Sequence, residues 1–454
     1  MLNKKYLNMR KRISSITNVF GASLLSFVIL ISVLSCADDY KFETNTGNTE
    51  PNESSIRTVA EAFEIADQAK DMFFNQSDTR SGQSRIVDKD NLRVICNSKT
   101  RSNTSDTLIY VINYKDNEGF AIVSAIKGTD ELLGITEMGN YDDAVAENAG
   151  LSLFMEMAEE YVKYKTRSPG DPFIEVITTL IGSVNPLISV KWGQKFPEGL
   201  YCPNTIAGCA NTAAIQICSY YQYPTSMYLT FSQRERDYIT INWTEVKKHQ
   251  RGCGSYSSHT NCTASENSHK VIAEMARQCG VYADSKYKNN GEVLSNTTPA
   301  PYTYNNYVYW SNATTFTYLN RPDSLDVVDM IESLGFVRPQ PCNYMSLCTK
   351  IPLNLGRPVY MNGKNIDTNN GHFWVVDGYK YYKDTTINHA TEPATTTISF
   401  RYYNHVNWGW NGISNGYFLD NVFSANAGYS YDNPSFGIST NTYNYSLKYF
   451  PVVL

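Results

Sequence analysis

Hydrophobic and polar positions divide the chain into stretches of different period. Phe20 to Leu34 is an almost unbroken apolar run behind a basic segment, Met1 to Arg12. From Ala37 to Ser55 large apolar residues nearly vanish and Asn, Thr and Glu dominate, so residues 37–55 read as a flexible tether. Thr58 and Glu61 have the spacing of a capping box, and Val59, Phe63 and Ala66 continue at helical period, which predicts a helix from about Thr58 to Phe74. Two β-rich runs, Thr107 to Tyr114 and Gly119 to Ala125, flank Lys115 to Glu118 as a hairpin would. Leu132 to Ile135 reads as a further strand. Leu151 to Tyr164 reads as an amphipathic helix with Leu153, Phe154, Met157 and Tyr161 on its buried face. These residues suffice for a core of their own, which sets 56–165 apart as a small α+β domain. Residues 166–183 are expected to be a linker, because KTRSPGDP (Lys165 to Pro172) is charged and punctuated by Pro and Gly.

In the second half, Ala210 to Tyr221 contains no Gly or Pro and carries a compact Ala and Ile face. A buried helix is expected to begin at Cys209 and to end before Pro224. His269 to Cys279 and Ser324 to Leu334 read as helices stopped by Gly280 and Gly335. Tyr287 to Thr317 has no helical period and reads as a substrate-facing loop region with short strands. Pro358 to Met361 opens a sheet. Phe373 to Val376 is a buried strand closed by an Asp377-Gly378 turn, and LKYFPVVL supplies a last strand.

Cys209 is the first chemical candidate. A thiol in a helix's first turn faces the positive end of the dipole and unpaired N–H groups, both of which favour thiolate. The alternative is a small buried hydrophobe. A nucleophile needs a base, and of the six histidines the best placed is His372, at the start of a rigid strand behind Gly371. A core histidine bonded to backbone is the competing reading. In NHVNWGWNGISNGYF, strand alternation places His405, Asn407 and Gly409 on one face and Val406, Trp408 and Trp410 on the other. Asn407 could accept the far N–H of an imidazole while Trp408 shields that bond; the same residues also suit an aromatic core hairpin. Gln194, in Lys191-Trp192-Gly193-Gln194, could donate an amide N–H that pairs with the Cys209 backbone N–H as an oxyanion hole. Gly208 and Gly371, beside the thiol and the imidazole, are the candidate substrate-binding backbone.

The order Gln, Cys, His, Asn is that of papain-like peptidases, although the local signature of a papain cysteine is absent. Six pieces, in order, resemble the streptopain family of bacterial cysteine peptidases. They are PLISVKWGQ (Pro186 to Gln194), Cys202-Pro203, AGCANTAAIQICSYYQYP (Ala207 to Pro224), GRPVYMNG (Gly356 to Gly363), GHFWVVDGY (Gly371 to Tyr379) and HVNWGWNGISNGYF (His405 to Phe418). The resemblance implies an α+β, papain-like two-lobed catalytic domain over 184–454, with a helical lobe and an antiparallel β lobe. It implies Cys209 as nucleophile, His372 as general base and acid, Gln194 as oxyanion donor, and Asn407 or Trp408 as the group that positions His372. It implies an endopeptidase favouring an apolar residue just before the one at the cleaved bond, acting through a thiolate–imidazolium pair, the thiol held well below its free pKa of about 8.5. NEGFAIVSAIKGTDELLGITEMGNY (Asn117 to Tyr141) resembles the family's propeptide. That implies an intramolecular inhibitor in which Gly139 to Tyr141 blocks the cleft or holds His372 away from Cys209. An accessory domain without inhibitory role is the alternative. Cleavage between Lys165 and Pro186 is expected to release activity. The gap between His372 and Asn407 is wide for the family, and Lys380 to Thr397 reads as an extended hairpin.

Val33-Leu34-Ser35-Cys36, after the basic and apolar segments, looks like a lipobox, so residues 1–36 read as a lipoprotein signal ending in a diacylated Cys36. The alternative is an uncleaved anchor. Asp38 and Asp39 resemble the acidic export tag of surface lipoproteins in some Gram-negative bacteria. The expected location is the cell envelope, anchored to the outer membrane by lipid alone, or the exterior after processing. Ten cysteines in an exported chain raise disulfides, with Cys253/Cys262 and Cys342/Cys348 able to close small bridges. Cys253, His259, Cys262 and His269 fit no strong zinc spacing, and neither metal nor cofactor is expected. The net charge of −5 with dispersed basic residues leaves no nucleic-acid footprint. Protein or peptide substrates and the chain's own prodomain are the expected partners. Two rival classes remain: a catalytically silent surface binding lipoprotein on the same scaffold, and an amidase acting on cell-wall peptides.

Overall fold

The computed structural model describes residues 39–42, 55–74, 85–96, 107–142, 148–164, 174–202, 206–229, 237–251, 264–283, 287–289, 292–294, 301–304, 307–310, 316–318, 324–340, 345–368, 371–390, 392–424 and 445–454. The Cys36 lipobox, the KTRSPGDP run and the cysteines 253, 262 and 342 lie outside them.

The capping box forms. Thr58 Oγ1 accepts the Glu61 N–H at 3.2 Å and the Glu61 carboxylate accepts the Thr58 N–H, starting helix α1 (Val59–Phe73). Strands β2 (Val87–Cys96), β3 (Thr107–Tyr114), β4 (Phe120–Ser124) and β5 (Leu132–Thr136) follow as an antiparallel meander. Asp116 and Asn117 turn the β3–β4 hairpin with φ near +60°, a conformation that short polar side chains tolerate. Helix α2 (Ala149–Tyr164) covers these strands with the expected Leu153, Phe154, Met157 and Tyr161 buried.

After β6 (Ile174–Val184) come helix α3 (Cys209–Tyr221), helix α4 (Glu266–Tyr282), helix α5 (Ser324–Ser333) and helix α6 (Met345–Asn354). Five strands close the chain: β7 (Val359–Asn365), β8 (Gly371–Asn388), β9 (Thr395–Asn407), β10 (Gly416–Leu419) and β11 (Tyr445–Pro451). Between 287 and 318 the described segments are short antiparallel strands, as their composition suggests.

Among the described residues, these eleven strands form one sheet in the order β1-β6-β8-β9-β10-β5-β4-β3-β2, with β7 between β8 and β11 and β1 at Asp39–Phe42. Three expectations change here. Residues 56–165 do not keep a core to themselves. β10 pairs with β5, Tyr417 opposite Ile135, and one apolar cluster runs from α1 and α2 through Trp374, Tyr403 and Phe418. Gly416 permits that junction, since a Cβ there would lie 2.2 Å from the Ile135 carbonyl oxygen. The linker expected over 166–183 is, from Ile174, the strand β6 paired with β8. Its β-branched Ile, Val and Thr residues suit a pleated surface, and the Pro/Gly signal ends at Pro172. Part of the expected tether, Asp39–Phe42, pairs with the outer edge of β6, whose backbone groups would otherwise be open.

The Asp377-Gly378 pair is not a turn either. β8 runs through it, with a register irregularity between Val376 and Gly378. There β8 exchanges one neighbour for another: Val376 still opposes Val359 of β7, whereas Tyr379 opposes Val184 of β6. A side chain at 378 would meet the Val184 carbonyl oxygen at 2.7 Å. Beyond it β8 and β9 continue as the expected long hairpin to Asn388 opposite Thr395. Arg401 and Thr178 pin it, both bonded to the buried Asp384 carboxylate.

β8 separates two cores. Trp374 and Val376 belong to the one shared with α1 and α2; Phe373 and Val375 belong to the one built from α3, α4 and α5. The α+β layout is therefore a helical part and an antiparallel β part meeting at β8.

Candidate active site

Helix α3 starts where the sequence places it. Gly208 precedes Cys209 with φ +90°, which a residue with a side chain adopts only under strain, and its carbonyl accepts both the N–H and the hydroxyl of Thr212. Asn211 Nδ2 donates to the Ala207 carbonyl at 2.8 Å, and the Tyr360 hydroxyl of β7 donates to the Ala210 carbonyl. The first turn of α3 is thereby fixed against β7 and β8.

Cys209 is half-buried at the edge of the helical core. Burial pushes its pKa up to about 11, against hydrogen bonds from the backbone N–H groups of Phe373, Ala210 and Cys209 itself. The N–H nearest in meaning is that of Phe373, the residue after His372. The two candidate groups are thus brought to the same place from 163 positions apart, the difference between 372 and 209.

Thiol and imidazole do not bond to each other. The His372 ring uses Nε2, which donates to the Trp408 carbonyl at 3.0 Å; a carbonyl only accepts, so Nε2 carries the hydrogen. The ring stacks on Trp374, centroids 6.3 Å apart at 15°, and lies beside Trp408. Burial lowers its pKa to about 4, only partly offset by the Trp408 bond. The expected thiolate–imidazolium pair is therefore not formed here: the two groups make no hydrogen bond to each other, and burial favours the neutral form of each. The physical reason is enclosure. Two tryptophans cover the imidazole, and so does the first turn of α2, where a Cβ on Gly150 would fall 2.5 Å from His372 Cδ2 and 2.4 Å from Trp408 Cε3. Asn148 begins that turn by accepting the N–H groups of Gly150 and Leu151.

The prodomain contact was expected from Gly139 to Tyr141. Those residues lie elsewhere: Gly139 packs on Ile413, and the Met138 carbonyl accepts the Ser414 N–H. What stands over His372 instead is Gly150, with no side chain to announce it. Of the two candidates for orienting His372, Trp408 does so through its backbone. Asn407 instead donates to the Val190 carbonyl at 3.3 Å, ahead of Lys191, and accepts the Gly409 N–H of its own loop at 3.2 Å. Gln194 sits next to the α3 start, its carbonyl accepting the Ala207 N–H at 2.7 Å. Gly371 pairs with Lys364, and what approaches it closely is the Gly363 carbonyl of β7, 3.0 Å from a Cβ at 371.

Two buried carboxylate–histidine groups escaped the sequence. His405 Nδ1 lies 2.6 Å from Asp377 Oδ1 and its Nε2 lies 3.0 Å from Glu137 Oε1, while Lys191 Nζ bonds the other Glu137 oxygen. Burial would lower the His405 pKa, but Asp377 and Glu137 outweigh it and push it up to about 9. Burial would raise that of Glu137, yet His405 and Lys191 hold it well below the carboxylate range. Glu137 follows β5 directly, so this ion cluster joins the 56–165 segment to the catalytic half. The second group is Glu198 with His249, at 3.3 Å. Neither left a signal, because each pairs residues distant in sequence; Asp377 in particular passed for a turn residue.

Cys218 and Cys279 are packed thiols, as expected, with burial pushing the former up to about 12 and the latter well above its usual value. Cys348 is disulfide-bonded. No group of three or more His, Cys, Asp or Glu residues able to hold a metal occurs among the described residues.

Comparisons with known proteins identify relatives of both halves of the chain. A family model described as the Peptidase C10 family matches residues 190–418, and one described as Spi protease inhibitor matches residues 55–162. Streptopain of Streptococcus pyogenes is 23% identical over 355 residues, which span 69% of this chain and 74% of that protein. The thiol protease/hemagglutinin PrtT of Porphyromonas gingivalis is 24% identical over 346 residues, 70% of this chain and 34% of that protein. Among solved structures, a fragment of Prevotella intermedia prointerpain A is similar with a TM-score of 0.46 at 18% identity, covering 79% of this chain and 98% of that one.

Proposed function

The chain belongs to the Peptidase C10 family and carries a propeptide domain of the Spi inhibitor type, and from that premise we propose that it is an exported cysteine endopeptidase made as a zymogen, with Cys209 as nucleophile and His372 as its base. One observation carries the reading: the Cys209 sulfur is bonded by the N–H next to His372, while the Nε2–H of that imidazole is already held by the Trp408 carbonyl. On this reading Nδ1 is the acceptor that takes the thiol proton, after a rotation of the ring. Gly150 and the tryptophans oppose that rotation while α2 is docked.

Once the prodomain leaves, water and substrate reach the site and the enclosure that keeps both groups neutral is relieved. His372 Nδ1 takes the Cys209 proton, and the thiolate attacks the peptide carbonyl carbon. The carbonyl π pair moves to oxygen, where the Cys209 backbone N–H and the Gln194 amide stabilise it. Collapse expels the amine, which receives the proton from His372, leaving a thioester. His372 then removes a proton from water, the hydroxide releases the acid, and the proton returns to the thiolate. Throughout, the Trp408 carbonyl supports the imidazolium.

Export and lipidation at Cys36 are supported by the basic, apolar and Ser35-Cys36 sequence at the start of the chain. Loss of palmitate incorporation in a Cys36→Ala strain tests this. The activity is tested by casein digestion with the matured chain and its Cys209→Ala variant, beside a peptidoglycan digest. Casein cleavage lost in the variant supports the reading. Peptidoglycan cleavage alone would favour an amidase, and no cleavage with no epoxide labelling of Cys209 would favour a silent binding protein.

A further inference from the structure

Glu198 and His249 have wholly buried side chains, and no step above uses them. A carboxylate withdrawn from water costs free energy unless it is hydrogen-bonded and paired. This one concentrates its bonds on one oxygen: Oε1 accepts the Gly193 N–H at 3.3 Å and lies 3.3 Å from His249 Nε2, while Oε2 has no hydrogen-bond partner among the described residues. The backbone so held is the residue before Gln194. The Gly193 carbonyl shares the Thr212 hydroxyl of α3 with the Gly208 carbonyl, each at 3.0 Å, and the Gln194 carbonyl accepts the Ala207 N–H, two residues before Cys209. Position 193 has no room for a side chain, since a Cβ would lie 2.5 Å from Asn411 Oδ1. The 249–250 segment closes the other side: Gln250 accepts the Lys191 N–H at 2.6 Å, and the Trp192 indole N–H donates to the His249 carbonyl. The Gly193–Gln194 backbone is thus clamped between Glu198 and the first turn of α3.

We propose that Glu198, backed by His249, is a positioning residue that sets the Gly193–Gln194 backbone against the Cys209 helix and so aligns the Gln194 amide as oxyanion donor. The inference rests on the role given to Gln194 above. Its acceptor oxygen, not its contact with substrate, is what matters, so a glutamine at 198 can replace it and an alanine cannot.

The test compares Glu198→Ala and Glu198→Gln in the full-length chain, matured as the wild type is and normalised to titrated active sites. Alkylation of Cys209 by iodoacetamide displaces iodide from carbon and builds no oxyanion, so it reports thiolate and imidazole without Gln194. Glu198→Ala is expected to lower kcat about 10- to 100-fold, to leave KM within about twofold, and to leave alkylation within about threefold. Glu198→Gln is expected to recover kcat to within about threefold of wild type. An unchanged kcat in Glu198→Ala, alkylation falling in step with kcat, or Glu198→Gln as impaired as Glu198→Ala each overturns the proposal. If Glu198→Ala does not fold, Thr212→Val removes the opposite anchor of Gly193 and is expected to show the same selective fall; an unchanged kcat there overturns the proposal too. Wild-type digestion that survives Cys209→Ala, or is unmoved by Gln194→Ala, overturns the parent reading instead.

Discussion

Gly150, at the start of α2, leaves no gap above His372: a single added carbon would stand 2.5 Å from its ring. On the zymogen reading proposed above, this packing contact is what keeps the site closed. Gly150→Ala should improve local helix propensity but clash with His372 and Trp408, at a cost of about 1–3 kcal/mol to the docked state. The full-length variant is expected to show at least tenfold more basal peptidase activity than full-length wild type. Equal basal activities would show that this contact does not hold the site closed.

The closed site also predicts a pH signature for the thiol. With Cys209 pushed up to about 11, its thiolate fraction at neutral pH is about 300-fold below that of an ordinary cysteine of pKa about 8.5. Iodoacetamide should therefore modify Cys209 of the full-length chain far more slowly than the exposed Cys96. After maturation the order should reverse. Peptide mapping by mass spectrometry reads both, and rapid labelling of Cys209 before maturation would contradict the raised thiol pKa.

The Glu137–His405–Asp377–Lys191 cluster ties prodomain docking to pH. Glu137, held low, contributes stability that is present above its ordinary pKa and is lost only in strong acid. His405, raised to about 9, contributes stability fully present below its ordinary pKa of about 6.5 and lost as pH climbs through about 9. The Tm of the full-length chain is expected to hold between about pH 5 and 6.5 and to decline towards pH 9. Glu137→Gln strips Lys191 and His405 of a carboxylate, so it should lower the unfolding free energy on the plateau by about 3 kcal/mol and flatten the decline. Thermal denaturation across that range decides, and an unaltered slope in the variant counts against the cluster.

Because the Trp408 carbonyl, not its indole, accepts the His372 Nε2–H bond, changing the ring should matter less than disturbing the loop. Trp408→Phe is expected to cost less than about fivefold in kcat, with about 1–2 kcal/mol lost from packing. Asn407→Ala removes both bonds that fix the 407–409 backbone and should cost about tenfold or more. The reverse ranking in steady-state kinetics would assign the orienting role to the Asn407 side chain.

Strand β6 sets a limit on truncation. A chain beginning at Ile174 keeps the strand that pairs β8 from Asn388 to Tyr379; one beginning at Pro186 leaves that edge of β8 bare. The shorter chain is expected to aggregate or unfold at lower denaturant, measured by urea titration and light scattering. Equal stability would mean that β6 is dispensable.

Much of this was written locally. Helix α1 follows from Thr58 and Glu61 three residues apart, the β3–β4 hairpin from two β-rich runs around a polar turn, and the start of α3 from Gly208-Cys209 and an uninterrupted Ala/Ile face. The order of Gln194, Cys209, His372 and Asn407 pointed to the chemistry, because each motif is a short stretch whose residue types speak for themselves. Tertiary structure alone decided what state that chemistry is in. The ring of His372 shares a face with Trp374 and meets Gly150 from more than 200 positions away, and burial there reverses the charge state that the helix dipole suggested for Cys209. The strand β6, which composition presented as a linker, and the clusters around His405 and Glu198 arose the same way. Hydrogen bonding and desolvation act between groups that folding brings together, and their strength depends on how much water is excluded, which no local pattern encodes.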